Sequence, residues 1–157
     1  MKNLIKELND IINNDKIYEY SLNNFYNENG DRYAGGMVNG KAEGKGIIYW
    51  DDGDEYEGDW KNNKFEGKGI YYFNNGNKYE GDFRNGLREG KGIYYYANGD
   101  RYEGDYKNNN QEGKAIYYYN REPCKGDRYE GECKNDKRDG KGILYYLYLI
   151  IYNNFFY

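Results

Sequence analysis

The sequence predicts an all-β protein, an elongated and twisted single-layer sheet of antiparallel β-hairpins preceded by a short helix. Two blocks of residues recur along the chain at shared intervals, as they do in repeat arrays. The apolar content is largely aromatic, with 23 tyrosines, and the chain also holds 22 glycines and a single proline. Because aromatic residues favour strands and glycines favour turns, this composition favours hairpins over helices.

The first recurring block is a Tyr-x-Gly triplet, and the second is Gly-Lys-Gly or Gly-Lys-Ala followed by Ile. Successive copies of both blocks are 23, 23, 23 and 27 residues apart. Both intervals lengthen at the same place, so the extra residues lie between Tyr119 and Tyr129, in an enlarged loop. The triplets begin at Tyr33, Tyr56, Tyr79, Tyr102 and Tyr129, and the second blocks at Gly44, Gly67, Gly90, Gly113 and Gly140.

Each repeat contains two turn signals. The pair Asn98-Gly99 lies between aromatic-rich segments and predicts a two-residue type I′ turn, in which both residues have positive φ. The return connection carries a residue that tolerates a left-handed backbone seven positions after each tyrosine. About ten strands result, and at roughly 4.8 Å per strand they make a sheet about 50 Å long. The return positions are Gly40, Asn63, Gly86, Asn109 and Asp136.

Strand alternation assigns the two faces of this sheet. One face receives the tyrosine, the glycine and the following aromatic residue of each first strand, with glycines and aromatics of the second strand. The glycines leave room for rings to lie across neighbouring backbones, so this face is the predicted core. The structural core residues are Tyr56, Gly58, Trp60, Tyr79, Gly81, Phe83, Tyr102, Gly104 and Tyr106.

The opposite face carries one Ile and one Tyr in every repeat, beside Lys, Glu and Asp. One interpretation is that the apolar pair only supports strand formation and is covered by the stems of the charged side chains. The other is that it forms a continuous stripe that binds a partner. The candidate partner-binding stripe comprises Ile70, Tyr72, Ile93, Tyr95, Ile116 and Tyr118.

A lysine follows the first glycine of each second block, which makes a ladder of one positive charge per repeat. Such a row attracts anionic lipid headgroups by about 1 kcal/mol per charge. Neighbouring carboxylates offset this attraction, and the net charge of the chain is -4. The candidate lipid-binding residues are Lys68, Lys91 and Lys114.

Composition excludes several classes of function. The chain has no histidine, which removes Ser-His triads, histidine acid–base catalysis and His-ligated zinc. Cys124 and Cys133 cannot complete a zinc site alone, and the carboxylates recur once per repeat instead of clustering as calcium requires. An acidic chain argues against nucleic-acid binding. We therefore expect no enzymatic activity, metal, cofactor or nucleic-acid partner, and a cytoplasmic location, since the start lacks a signal-peptide core.

The two ends of the chain differ from the repeats. Residues 1–16 predict an amphipathic helix, which either caps the first edge of the array or is offered to a partner or a membrane. Residues 17–29 look like a degenerate half-repeat. The apolar tail, residues 147–157, leaves a sheet edge without guarding charges. Three arrangements would cover this edge: the tail folds back over the aromatic face, docks on a partner or membrane, or pairs with a second copy. We expect the last of these, a homodimer through the tail.

The 23-residue unit resembles the MORN repeat, in which Tyr-Glu-Gly-Asp-aromatic-Lys-Asn is followed by Glu-Gly-Lys-Gly, aromatics and Asn-Gly-Asp. The resemblance covers five copies over residues 30–146. Ala115 departs from it at a glycine position, and Cys133 and Met37 depart at positions of a bulky aromatic. The resemblance implies a non-enzymatic scaffold for protein–protein interaction, peripheral to a membrane or a cytoskeletal structure.

Two alternative functions stay open at the level of sequence. The first, which the same resemblance implies, is a peripheral module that binds phospholipids or phosphoinositides. The second is an aromatic-cage repeat that binds bacterial cell walls, since tyrosine- and glycine-rich repeats of similar length occur in such modules. Those modules have a different, Trp-rich spacing and usually accompany secretion signals.

Overall fold

The computed structural model describes the backbone of residues 25–26 and the whole of residues 30–147. Its strands lie in chain order in one antiparallel sheet, so the predicted fold class is confirmed. The helix predicted over residues 1–16, most of the half-repeat and the tail beyond residue 147 lie outside the described residues. The strands are β1 (Phe25–Tyr26), β2 (Arg32–Val38), β3 (Lys41–Tyr49), β4 (Glu55–Lys61), β5 (Lys64–Tyr72), β6 (Lys78–Arg84), β7 (Leu87–Tyr95), β8 (Arg101–Lys107), β9 (Asn110–Tyr118), β10 (Arg128–Lys134) and β11 (Lys137–Tyr145).

Each repeat is a hairpin of a seven-residue strand and a nine-residue strand, as in β4 and β5. The register changes in the middle of this hairpin, because Gly58 lies opposite Gly69 whereas Asp59 lies opposite Glu66. Gly67 and Lys68 are the two extra residues of the resulting bulge. Gly67 has a φ of 61°, a conformation that glycine adopts without a Cβ penalty. The bulge thus explains why a glycine opens each Gly-Lys-Gly block.

The two-residue turns lie inside the hairpins, at the return connections. Asn62 and Asn63 have φ values of 50° and 64°, and Asn85 and Gly86 have φ values of 53° and 85°. Two consecutive residues with positive φ are the requirement of a type I′ turn, which matches the twist of the flanking strands. The left-handed residues expected seven positions after each tyrosine are confirmed at all five positions, Gly40, Asn63, Gly86, Asn109 and Asp136.

The type I′ turn predicted at Asn98-Gly99 is wrong. Gly99 has a φ of 87°, but Asn98 is not in the left-handed region. The N–H of Gly99 donates to the carbonyl oxygen of Tyr96 at 2.8 Å, and the N–H of Tyr96 donates to that of Asp100 at 2.9 Å. The connection is therefore a three-residue loop that ends in a left-handed glycine. The Asn98 side-chain oxygen accepts the N–H of Asp100 at 2.9 Å, which holds this longer loop.

The core lies on the face that carries the Tyr-x-Gly tyrosines, and Tyr56, Tyr79 and Tyr102 are fully buried. The ring of Tyr79 lies over Gly81 and Gly92, where an added Cβ would come within 2.5 Å of its hydroxyl oxygen. Without side chains at these paired positions, the ring packs directly on two adjacent backbones.

Edge-to-face ring contacts join each repeat to the next. The ring centroid of Tyr79 lies 5.1 Å from that of Phe83 in its own repeat and 4.9 Å from that of Tyr106 in the following one. Tyr56 makes the same two contacts with Trp60 at 5.4 Å and Phe83 at 5.1 Å. Perpendicular arrangements of this kind are favourable for aromatic pairs. The core is a continuous row of rings from Tyr33 to Tyr102, because Tyr56 and Tyr79 each touch the aromatic residues of two repeats.

Candidate functional site: the face opposite the core

The face opposite the core consists of rows of side chains that run along the array, one row for each register position of the hairpins. Three rows contain the residues singled out by sequence, namely a lysine–aspartate row, an isoleucine–glutamate row and a row that contains the tyrosines. Their chemistry differs, because each is made of a different pair of cross-strand neighbours.

The lysine–aspartate row links neighbouring repeats by ion pairs. The Nζ atom of Lys68 lies 2.6 Å from Oδ1 of Asp82, and that of Lys91 lies 2.6 Å from Oδ1 of Asp105. Lys114 lies opposite Glu132 and forms no ion pair within the described part of the chain. The predicted lipid ladder is therefore neutralised at two of its three positions by carboxylates of the next repeat. Pairing of this kind weakens its attraction for anionic lipid.

The same aspartates also hold the bulges. Oδ2 of Asp82 accepts the backbone N–H of Lys91 at 3.1 Å, and Oδ2 of Asp59 accepts that of Lys68 at 3.1 Å. The recurring glutamates have an equally structural task, since Oε2 of Glu66 accepts the N–H of Asn85 in the turn of the next repeat at 3.0 Å. These recurring aspartates and glutamates of the bulges and turns are thus bound to backbone groups. No described group of three or more Asp, Glu or Cys residues could hold a metal ion.

The isoleucine–glutamate row alternates an apolar and an acidic side chain on successive strands. Ile93 lies between Glu80 and Glu103, and Ile116 lies between Glu103 and Glu130. Ile70, Ile93 and Ile116 are half-buried. In β11 Ile143 is 59% exposed, because among the described strands β11 pairs with β10 alone. The isoleucines of the predicted stripe therefore lie on every second strand, and a glutamate separates each from the next.

The tyrosine row pairs a tyrosine with a cation in four of the five hairpins. The guanidinium carbon of Arg101 lies 4.3 Å from the ring centroid of Tyr118, and the Nζ atom of Lys78 lies 4.2 Å from that of Tyr95. Lys78, Arg101 and Arg128 also contact the glutamate two residues later on the same strand, as Arg101 contacts Glu103 at 2.8 Å. Cation–π contacts of this kind were missed by sequence reasoning. The signal was the basic residue that precedes the Tyr-x-Gly tyrosine in four of the five repeats.

A shallow depression of about 540 Å³ extends across this face from β7 to β11. Charged residues of both signs line it around an apolar centre, with ammonium groups from three successive repeats and glutamates between them. Such a mixed lining suits a polar polypeptide surface better than a small apolar ligand. The lining includes Lys91, Glu103, Lys114, Ile116, Glu130 and Lys141.

The two cysteines are free thiols in this fold. Cys133 is buried in the core, where it takes the place of a bulky aromatic residue, and Cys124 is half-buried in the enlarged loop. Burial raises the pKa of the Cys133 thiol, and a hydrogen bond from Tyr117 opposes that shift. The neutral thiol of Cys133 acts as a small packing residue.

A single-layer sheet of repeated hairpins, with a row of rings on one face and charge-paired rows on the other, defines the class of elongated repeat proteins. The family model for the MORN repeat matches residues 33–55, 56–78, 79–101, 102–121 and 129–146. The chain therefore belongs to the MORN-repeat family, as the sequence had suggested. No curated protein matches the sequence. No helix in the described residues is long and apolar enough to span a membrane.

Proposed function

We propose that this protein is a non-enzymatic scaffold that binds partner proteins through the face opposite the core. MORN repeats as a family are consistent with such a scaffold. The observation that carries the proposal is the half-buried isoleucine that recurs once per repeat on the face away from the core, at Ile70, Ile93 and Ile116. The core rings and the carboxylates that bind the bulges and turns have folding tasks, whereas these isoleucines contribute little to the core.

Charge pairing supports a protein partner over a lipid surface. A lipid ladder needs unneutralised cations, yet Lys68 and Lys91 pair with Asp82 and Asp105. The rings that would form a cell-wall cage, such as Tyr79, are fully buried against one another. Association with a membrane or the cytoskeleton enters the proposal only through the likeness to MORN proteins.

The scaffold proposal is tested by affinity capture followed by quantitative comparison of variants. Replacing Ile93 and Ile116 together by Thr keeps the β-branched shape but removes apolar area from the stripe. We expect this double variant to lose partners that the unchanged protein retains. The matched control is Leu87→Thr, an exposed apolar residue outside the stripe, which should keep them. Equal capture by all three proteins would contradict the proposal.

A lipid function is tested separately with acidic vesicles at low and high salt. Binding that disappears in a Lys68, Lys91 and Lys114 triple alanine variant would favour the lipid module instead, because screening and charge removal both weaken electrostatic attraction. We expect no binding at either salt concentration for the unchanged protein.

A further inference from the structure

One hairpin departs from the cation–tyrosine pattern of the others. In four hairpins a cation at the start of the first strand faces a tyrosine at the end of the second and lies near its ring. In the hairpin of β4 and β5, Glu55 takes the place of the cation and faces Tyr72. Among the described residues no cation lies over the Tyr72 ring. The pairs that follow the pattern are Arg32–Tyr49, Lys78–Tyr95, Arg101–Tyr118 and Arg128–Tyr145.

The neighbouring hairpins show how a guanidinium fits at this position. Arg128 lies 4.2 Å from the ring centroid of Tyr145, and its Nε atom lies 2.7 Å from Oε1 of Glu130. Arg101 and Arg128 therefore make two contacts each, one with the tyrosine ring of the hairpin and one with the glutamate two residues later. A planar guanidinium suits this combination, since it stacks on rings and donates hydrogen bonds to carboxylates at the same time.

Both contacts are available in the hairpin of β4 and β5. Tyr72 is 38% exposed, whereas the other four tyrosines of the row are half-buried. Glu57 corresponds to Glu130, and it forms no ion pair within the described part of the chain because Glu55 stands where its cation would be. Because Glu55 occupies the position of the cation, the ring of Tyr72 and the carboxylate of Glu57 lack the basic side chain that contacts both corresponding groups in other hairpins.

The electrostatic surroundings of Tyr72 favour a cation from outside. Burial raises the pKa of Tyr72, Lys78 lowers it, and the carboxylates of Glu57, Glu55 and Glu80 raise it further. Lys78 is itself engaged, since its Nζ atom lies 4.2 Å from the ring centroid of Tyr95 and 3.2 Å from Oε2 of Glu80. The negative charge near Tyr72 is therefore only partly compensated.

We propose that Tyr72 and Glu57 bind an arginine side chain of a basic, extended peptide segment in a partner protein. This inference rests on the proposed scaffold function and names the chemistry of its partner. The segment that precedes Glu55 is also acidic, because Asp51 and Asp52 lie exposed beside it, and it attracts further basic residues of the same peptide.

The test uses the full-length protein and a capped peptide of alternating arginine and glycine, titrated by NMR. We expect a one-to-one complex whose shift changes centre on Tyr72, and no binding of the same peptide with citrulline in place of arginine, which keeps the shape but lacks the charge. Glu55→Arg supplies the missing cation from within, and it should weaken binding by at least about tenfold. Glu122→Arg, with the same charge change in the enlarged loop, should leave the affinity within about twofold.

A converse variant opens a second site. Arg101→Glu removes the cation from Tyr118, so two peptides should bind and new shift changes should centre on Tyr118. The proposal is overturned if the unchanged protein does not bind the arginine peptide, if citrulline binds equally, or if Glu55→Arg binds like the unchanged protein. The scaffold proposal is judged separately, by whether the Ile93 and Ile116 double variant loses its captured partners. Failure of the arginine site can therefore be distinguished from failure of the scaffold function.

Discussion

The hydroxyl of Tyr79 donates a hydrogen bond to the backbone carbonyl of Asp82 at 2.9 Å, which anchors the ring across its own strand. The Asp82 side chain points to the other face, where it contacts Nζ of Lys68 and the backbone N–H of Lys91. One short segment therefore fixes the core ring, the bulge of its own repeat and the ion pair to the previous repeat. The same relation recurs at Tyr56 with Asp59 and at Tyr102 with Asp105.

Tyr79 is predicted to contribute both packing and a hydrogen bond. Tyr79→Ala should lower the free energy of unfolding by about 3 kcal/mol, because it removes a fully buried ring between two repeats. Tyr79→Phe should cost about 1 kcal/mol, since it loses only the bond to Asp82. Urea denaturation measures both values, with exposed Glu80→Ala as the control. A Tyr79→Ala cost no larger than that of Glu80→Ala would contradict the assigned core.

The two glycines under the Tyr79 ring should respond differently to alanine. A Cβ on Gly81 would meet the Gly92 Cα and the Lys91 carbonyl oxygen at 2.6 Å, and backbone atoms cannot move away cheaply. The three atoms nearest to a Cβ on Gly92 all belong to the Tyr79 side chain, which can adjust more cheaply than backbone. Gly81→Ala should therefore cost about 2 kcal/mol and Gly92→Ala less. Ala115 already occupies the position equivalent to Gly92 in the fourth repeat. Thermal melts of both variants test the order.

Much of this fold is accessible from sequence because each repeat presents the same periodic signals five times. The return turns are readable because asparagine, aspartate and glycine are the residues that adopt positive φ easily, as at Asn109 and Asp136. The wrong turn type predicted at Asn98-Gly99 has a physical reason. A loop one residue longer needs only Gly99 in the left-handed region and uses Asn98 as a hydrogen-bond acceptor, and the dipeptide itself suits both loops.

The charge pairing of the opposite face is less accessible from sequence, since it depends on register. Lys68 meets Asp82 of the following repeat, a pairing that follows only once the cross-strand partners of both bulged strands are known. The rings over which Lys78 and Arg101 lie are likewise identified by cross-strand position. Strand alternation placed the right residues on this face but did not show which of them touch.

Asp82 and Lys68 should contribute unequally although they form one ion pair. The Lys68 side chain is 72% exposed, so Lys68→Ala should change the free energy of unfolding by less than about 0.5 kcal/mol. Asp82→Ala should cost about 2 kcal/mol, because it also removes the acceptor for the Lys91 N–H at the bulge. Chemical denaturation in low and high salt separates the two effects. Equal costs that both vanish in high salt would show that the ion pair, and not the bulge contact, is what matters.

Alkaline pH should unfold the array through its buried tyrosines. Burial raises the pKa of Tyr56, Tyr79, Tyr102 and Tyr106 above the unfolded value of about 10. Above that pH the unfolded chain loses protons that the folded chain retains, so stability is complete below about pH 9 and falls as pH rises further. Each such tyrosine contributes a slope of up to about 1.4 kcal/mol per pH unit. Melting temperature and tyrosinate absorbance, followed together, should change in one transition.

The Tyr79→Phe variant is the control for this titration. It removes one of the groups with a raised pKa but keeps the ring. The free energy of unfolding should therefore fall less steeply above about pH 10, by up to about 1.4 kcal/mol per pH unit. The variant is less stable than the unchanged protein at neutral pH, and the difference should narrow at high pH. A constant difference between the two proteins from pH 7 to about pH 11 would contradict the assignment of Tyr79 as a group that resists ionisation.

The outer edge of β11 is predicted to mediate self-association together with the apolar tail, of which residues 148–157 lie outside the described residues. Among the described strands β11 pairs only with β10, and Ile143 is 59% exposed. The first part of β11 carries charged residues, but residues 143–145 and the tail that follows do not, and an uncharged apolar edge favours pairing with a second copy. Light scattering at roughly tens of micromolar protein should show a dimer or larger species for the full chain and a monomer after removal of residues 147–157. Ile143→Lys should weaken association, whereas Val38→Lys, an exposed apolar position in β2, should not. A monomeric full chain would show that the tail does not join two copies.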